Sequence, residues 1–335
     1  ESDAFNFGAF FGIADLGVVS SNVSISGQGL TLEEINTEVA GEITQIIFRN
    51  YSYEGIELSA NLEKNLFNGQ MQLNDANLSV DFDGLVDFRA DTAVFDFVSN
   101  LYHANLGALN LIDLKEYSSL TSRIEVNAKA LSLENFRGRV VARSTALCIG
   151  DEEELEFPIG DIVVTSENEA AGQQLVLTSD IVDASVSGDF QTADIPNGFL
   201  SVIQSVAPSL FSLQSDFWQV KNQNFEYSVQ LKDYNLIQTL FTPGVAVGTA
   251  HLSGNYNAVD TIFNLDLEAE FLSFGNLKFR GISVEADKSN GSLGVEVLTD
   301  SLPLADSLLF QNIGFHGLLE KNVVEGELVF YDHRG

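Results

Sequence analysis

Residues 78–88 place Leu78, Val80, Phe82, Val86 and Phe88 on even positions, with Ser79, Asp81, Asp83, Leu85 and Asp87 between them. Alternation turns successive side chains to opposite faces, so the segment predicts a β-strand with one apolar and one acidic face. The period recurs. Ile56, Leu58, Ala60 and Leu62 alternate with Glu57, Ser59, Asn61 and Glu63. Phe225, Tyr227, Val229 and Leu231 alternate with Glu226, Ser228, Gln230 and Lys232, and Leu265, Leu267, Ala269 and Phe271 with Asp266, Glu268 and Glu270. Val324, Leu328 and Phe330 close the chain in the same style. Half-buried strands of this kind suit antiparallel sheets. Parallel α/β strands are apolar on both faces, so a doubly wound fold is disfavoured.

Asn68-Gly69, Asn255 to Asn257, Ser289-Asn290-Gly291 and Lys321-Asn322 carry turn chemistry and predict short hairpins in a meander. An aromatic-x-Gly phrase recurs at Phe67, Phe136, Phe279 and Phe315, as loosely repeated hairpins rather than a fixed-period solenoid. Helical spacing is confined to a few stretches. Residues 198–213 put Phe199, Val202, Ile203, Val206, Leu210 and Leu213 on one helical face, with Asp194 or Asn197 as cap and Pro208 as a kink. Residues 234–241 predict a short helix stopped by Pro243-Gly244. Thr31 and Glu34 have capping-box spacing, which predicts one or two turns within 31–39. The expected fold class is all-β: an elongated, curled antiparallel sheet with an open groove and one or two short interrupting helices. Less than about a fifth of the chain should be helical, against the usual third. The expected organisation is a β-groove segment over 1–194, an interrupting helix over 195–215 and a second β-groove segment over 216–335, together one continuous module.

Apolar residues make up 45% of the 335, enough for a core. The 48 acids against 16 bases give a net charge of −32. Such a surface repels phosphate backbones and anionic bilayers, which argues against nucleic-acid binding and charge-driven membrane docking. One cysteine, Cys148, leaves no internal disulfide framework. No apolar run reaches membrane-spanning length and no signal-peptide pattern is visible. The chain opens at Glu1 with Met71 as its single Met, and reads as an interior piece of a longer protein.

Catalytic vocabulary is nearly absent. His103, His251, His316 and His333 are scattered singly and read as surface or turn residues. No HExxH, paired-Cys or GxSxG pattern occurs, and no glycine loop to cradle phosphate. No enzyme, cofactor or metal site is predicted. The acidic "DFDG" at 81–84 fails as a calcium loop, because its first and twelfth positions would be Ser79 and Ala90. It reads as a solvated acidic face. Arg137, Arg139 and Arg143 share a strand face. They suit either an anionic head group or acidic partner, or cross-strand pairing with acids such as Glu152, Glu153 and Glu154. Asn22, Asn50, Asn77 and Asn290 open sequons that matter only in a eukaryotic secreted protein. Asp-Ser/Thr-apolar triplets at Asp91, Asp260, Asp300 and Asp306 resemble an O-glycosylation signal of periplasmic Bacteroidota proteins, a motif short enough to recur by chance.

"YSYEGIELSANLEKNLFNGQMQLNDANLSVDFDGLVDF" (51–88) resembles the TamB branch of the AsmA-like superfamily in its Bacteroidota form. "ANLGALNL" (104–111), "LVLTSDIVDASVSGDF" (175–190) and "LSGNYN" (252–257) extend the resemblance over most of the chain. It implies a long, unclosed β-taco with an apolar trough, placed in the periplasm. The full-length protein would be anchored to the inner membrane by a segment absent here. It further implies bridge-like transfer of phospholipid or another acyl lipid, or outer-membrane protein assembly by β-augmentation with an Omp85-type partner. A trough has physical sense: burying a lipid methylene recovers about 0.8 kcal/mol, so a continuous apolar groove holds acyl chains out of water. The candidate lipid-groove residues are Leu78, Val80, Phe82, Val86 and Phe88, then Phe225, Tyr227, Val229 and Leu231, then Leu265, Leu267 and Phe271. Two other classes compete. A structural or chaperone module would accept client strands at its edges. A carbohydrate-binding sandwich would want aromatic platforms, and Trp218 is the one Trp. An outer-membrane barrel would carry aromatic girdles at both strand ends, which spread carboxylates and interrupting helices fit poorly.

Overall fold

A computed structural model of the chain describes residues 2–6, 16–29, 34–49, 51–111, 118–130, 136–150, 155–169, 172–206, 223–235, 245–260, 262–275, 277–289, 291–305 and 308–330. The protein is all-β, and its strands pair antiparallel. It comprises two units, residues 1–164 and 165–335.

The first unit is a meander. β1 (Ser2–Asn6), β2 (Leu16–Gln28), β3 (Asn36–Phe48), β4 (Tyr51–Glu63), β5 (Leu66–Asn74), β6 (Leu78–Asp87), β7 (Ala93–Asn105), β8 (Ser118–Ala130) and β9 (Arg137–Ile149) each pair with the next. β10 (Leu155–Glu169) starts in this unit and adds to β9. The second unit contains β11 (Gly172–Thr178), β12 (Val182–Asp189), a 3₁₀ turn (Thr192–Asp194) leading into helix α1 (Ile195–Val206), β13 (Asn224–Leu231), β14 (Val245–Val247), β15 (Ala250–Asn257), β16 (Ile262–Phe274), β17 (Leu277–Ser289), β18 (Ser292–Ala305), β19 (Leu308–Glu320) and β20 (Val323–Phe330). Pairing runs from β11 through β12, β13, β15, β16, β17, β18 and β19 to β20, and β14 lies beside the far end of β16. Many strands are 13 residues long, such as β4, β7 and β16, roughly 40 Å of extended chain.

Register turns alternation into faces. Glu57, Gln72, Asp81, Asn100 and Arg123 stand opposite one another across β4 to β8, and so do Leu58, Met71, Phe82, Ser99 and Ile124 one position along. Bulges change the parity in places, and the one on β9 is an example. On β9 the exposed Arg139 and Arg143 are followed by Ser144 at φ +49°, after which Thr145, Leu147 and Ile149 are 4%, 5% and 6% exposed. The extra residue rotates the strand, so odd positions change from the polar to the apolar face.

Several local expectations change. Asn68-Gly69 lies inside β5, and the turn falls at Lys64-Asn65. Gly69 is needed for close approach: a Cβ there would sit 2.4 Å from the Ser59 carbonyl oxygen. Asn255 to Asn257 belong to β15, and the turn is 258–260, where Asn257 Oδ1 accepts from the backbone N–H of Val259 and Asp260. Asn36–Val39 are strand rather than helix, because Thr37 and Val39 are buried between β2 and β4. Residues 31–33 lie outside the described set, as do 207–222 and most of 234–241. Lys321-Asn322 is the turn between β19 and β20, with φ +50° and +69°, the hairpin geometry expected of a type I′ turn. The two units divide at 164/165, and α1 lies inside the second.

Candidate functional site

In the first unit the apolar face is only half-covered. Leu78, Val80, Phe82 and Val86 lie on it and are half-buried, as are Leu58, Met71, Phe97 and Ile124 on neighbouring strands. Phe82 packs between Phe67 (ring centroids 5.6 Å) and Phe97 (4.9 Å). The rings fit because Gly84, at φ +148°, brings β6 against β7: a Cβ there would stand 2.4 Å from the Asp96 carbonyl oxygen and 2.5 Å from Phe97. Phe88 follows β6, is 55% exposed and meets Phe95 edge-on at 5.8 Å. Among the described residues no helix lies over this face.

The second unit covers its apolar face with α1. The helix has poor intrinsic formers, Gly198 and several β-branched residues, and no charge to suit its dipole. Tertiary packing therefore holds it. Pro196 suits the first turn. Phe199, Val202 and Val206 form its apolar stripe, and Val202 and Val206 are 3% and 1% exposed. They pack with Phe225, Tyr227, Tyr256, Phe263 and Leu293 in one core, with Leu175 and Leu319 against it, so the sheet bends around the helix. Phe199 meets Tyr227 at 5.0 Å and Phe263 at 5.8 Å, both edge-on. The Ser201 and Tyr256 hydroxyls are 3.1 Å apart, and the Asn322 N–H donates to the Val206 carbonyl at 2.9 Å. Tyr227 donates its hydroxyl to the Asn264 carbonyl at 2.9 Å, and burial pushes its phenol well above the ordinary tyrosine value.

The expected groove residues of this unit thus share one face under different cover. Phe225 and Tyr227 are core beneath α1, and Leu265 packs against that core. Leu231 is buried, with Leu267 against its smaller cluster, and Val229 is half-buried. Phe271 ends the face, edge-on to Tyr234 at 5.3 Å with the Lys278 ammonium 3.7 Å over its ring.

Two open depressions are lined by residues of both faces, the larger by Leu58, Met71, Phe82 and Phe97 as well as by polar side chains. One of about 1150 Å³ includes the rung Glu57, Gln72, Asp81, Asn100 and Arg123, and another of about 550 Å³ the rung Gln230, His251, Glu268 and Ser283. Arg143 pairs across strands with Glu125 (3.6 Å) and Asp161 (3.3 Å). Arg137 donates to the Phe136 carbonyl at 2.8 Å, while Arg139 is exposed. Asp81 accepts from the Tyr102 hydroxyl at 2.8 Å, and Asp83 from Gln70 at 3.0 Å. His103 bonds Ser119 at 2.8 Å, and His316 lies 3.5 Å from Glu296. Among the described residues no cluster is placed to hold a metal, and no helix is long and apolar enough to cross a membrane.

Two buried polar side chains of the second unit, Lys288 and Gln223, lie outside the alternating sets that the pattern singles out. For Lys288 the signal is in the sequence: it holds the parity of Ile282, Val284 and Ala286. The chain matches no protein-family model, no curated protein and no solved structure. Among the described residues, what the geometry offers is partly exposed apolar surface.

Proposed function

We propose that the chain is a lipid-handling module whose first unit receives acyl chains on its open apolar face. One observation carries this: Leu58, Met71, Phe82, Phe97 and Ile124 remain half-buried side by side across five strands. A contiguous apolar patch left partly in water marks an interaction surface. Transfer between membranes, a periplasmic setting and an Omp85-type partner draw their support from the sequence resemblance. Photo-crosslinkers at Met71, Phe82 and Ile124 should capture a labelled phospholipid from vesicles, and crosslinkers at Glu57, Asp81 and Arg123 should not. Equal capture from both faces would overturn the proposal.

A second reading, strand addition to a partner, is favoured by β20. This strand pairs with β19, and Val323, Val324, Leu328 and Phe330 are each more than half exposed. Such an edge is a template for another strand. Crosslinking from Val324 to an added partner strand, with none from Phe82 to lipid, would put this reading first.

A further inference from the structure

Two polar side chains stand on the apolar face of the second unit without a protein hydrogen-bond partner among the described residues. Lys288 lies between Phe263 and Leu293 in one cross-strand rung, both part of the core under α1, and it is 7% exposed. Among the described residues its ammonium forms no hydrogen bond or ion pair. The acids beside it on β17, Glu285 and Asp287, are exposed on the opposite face. Burial lowers its pKa below the ordinary lysine value. Gln223, 3% exposed, precedes Phe225 by two residues and so shares its face, and neither its amide oxygen nor its amide nitrogen has a partner. Its carbonyl accepts from the Ala258 N–H at 2.8 Å, which fixes it one rung beyond Phe225 and Tyr256. Lys288 is in the rung of Phe225, Tyr256 and Phe263, so both groups mark the same end of the face.

Buried groups of this kind are costly and uncommon unless something satisfies them. An aliphatic side chain would suit either position better on packing grounds alone. α1 supplies apolar contact, and among the described residues it makes no hydrogen bond to either side chain: its Ser201 and Ser205 hydroxyls donate to its own Gly198 and Val202 carbonyls. We propose that Lys288 and Gln223 are the head-group end of a site for a single-chain anionic amphiphile, with α1 covering the position that the acyl chain would take. This rests on the lipid-handling reading and extends it to a ligand class. The phosphate or carboxylate of the ligand pairs with Lys288, and Gln223 bonds the outer head-group atoms. Those two positions are three strands apart, about 14 Å across a flat sheet and less across a bent one. The alkyl chain takes the place of Phe199, Val202 and Val206, so α1 lifts on binding.

The full chain would be titrated calorimetrically with dodecyl phosphate, dodecyl maltoside and inorganic phosphate, below micelle-forming concentrations. The wild type should prefer dodecyl phosphate to dodecyl maltoside by about tenfold, and Lys288→Met should abolish that preference while leaving dodecyl maltoside unchanged. The difference between the two proteins isolates this site from the open face of the first unit. Amide exchange over 195–206 should rise as dodecyl phosphate binds, and ligand-free Lys288→Met and Gln223→Leu should melt no lower than wild type. A preference that survives Lys288→Met overturns the head-group site and leaves the acyl-chain reading standing. If neither alkyl compound binds, both readings are overturned. Inorganic phosphate binding as tightly as dodecyl phosphate overturns the amphiphile in favour of a simple anion.

Discussion

Phe82 in the first unit and Phe225 in the second hold the same place in the same alternating pattern, yet one ring is half-buried and the other is 1% exposed. The strands do not account for the difference. Both faces are apolar, both belong to antiparallel ladders, and both are backed by a carboxylate-rich face. Among the described residues, what differs is a 12-residue helix, uncharged and poor in helix formers, that packs on the second face. Alternation decides which face is apolar; a segment elsewhere in the chain decides whether that face is core or surface. This is why a single sheet pattern can supply a folded core in one unit and a candidate lipid surface in the other.

The largest test puts a charge on each face. Val202→Asp buries a carboxylate where the side chain is 3% exposed, and should cost several kcal/mol, roughly 3–5. Phe82→Asp sets its charge on a half-open face and should cost about 1–2 kcal/mol. Urea denaturation measures both. Amide exchange should show residues 195–206 unprotected in Val202→Asp, with β6 and β7 unchanged. If the two variants lose the same stability, the faces are equally covered and the comparison fails.

A truncation pair sharpens it without charge. Phe225→Ala removes a ring from a closed core and should cost about 3–5 kcal/mol. Phe82→Ala removes a ring that already meets water, and should cost about 1–2 kcal/mol. A loss at Phe82 as large as that at Phe225 would place Phe82 in a sealed core and argue against an acyl-binding face.

Glycines separate sheet bending from cover. Gly84→Ala drives a Cβ into the Asp96 carbonyl and Phe97 at a φ few side chains adopt, and should cost about 1–3 kcal/mol. Gly294→Ala, whose nearest neighbour would be 3.7 Å away, should change stability by about 0.5 kcal/mol or less. Thermal melting of the two variants decides this. Similar melting points would mean that β6 and β7 are not held together through Gly84.

Much of the fold is legible because period 2 survives wherever a face meets water. Ile56–Leu62 and Leu265–Phe271 lie in strands that extend past the visible alternation, and Phe225–Leu231 fills all but the first residue of β13. The misplaced features share a cause, namely that one residue type serves two purposes. Gly69 looks like a turn and is a close-packing position in a strand. Thr31 and Glu34 look like a helix start, but tertiary pairing makes the chain strand from Asn36. The bulge at Ser144 is invisible in the pattern, since it needs the register with β8 to be seen. Helical spacing from Phe199 to Val206 is readable, although α1 begins earlier, at Ile195, around Pro196. Where that apolar stripe docks is not readable, because local spacing carries no address. Lys288 was the visible irregularity: one cation in a run of apolar positions, on the face that α1 covers.

The smallest effect concerns the proton on that lysine. Burial lowers the Lys288 pKa in the folded chain, while the unfolded chain keeps the ordinary value near 10.5. Below the folded value both states are protonated, and the folded state bears the desolvation cost of the partly buried charge. Between the folded value and 10.5 the unfolded state binds more protons, so this group makes stability rise with pH. Tyr227 acts in the opposite sense: its phenol is raised by burial, so above pH 10 the unfolded tyrosine ionises first and stability falls. Because Tyr227 is common to wild type and Lys288→Met, the difference between them isolates the lysine. Lys288→Met should be more stable at neutral pH by about 1 kcal/mol or less. That advantage should shrink as the pH climbs toward 10.5. Urea midpoints for both proteins from pH 7 to 10.5 measure the difference. A constant gap would mean the ammonium sits in water with only its stem under α1, and the second face would then be as purely apolar as the first.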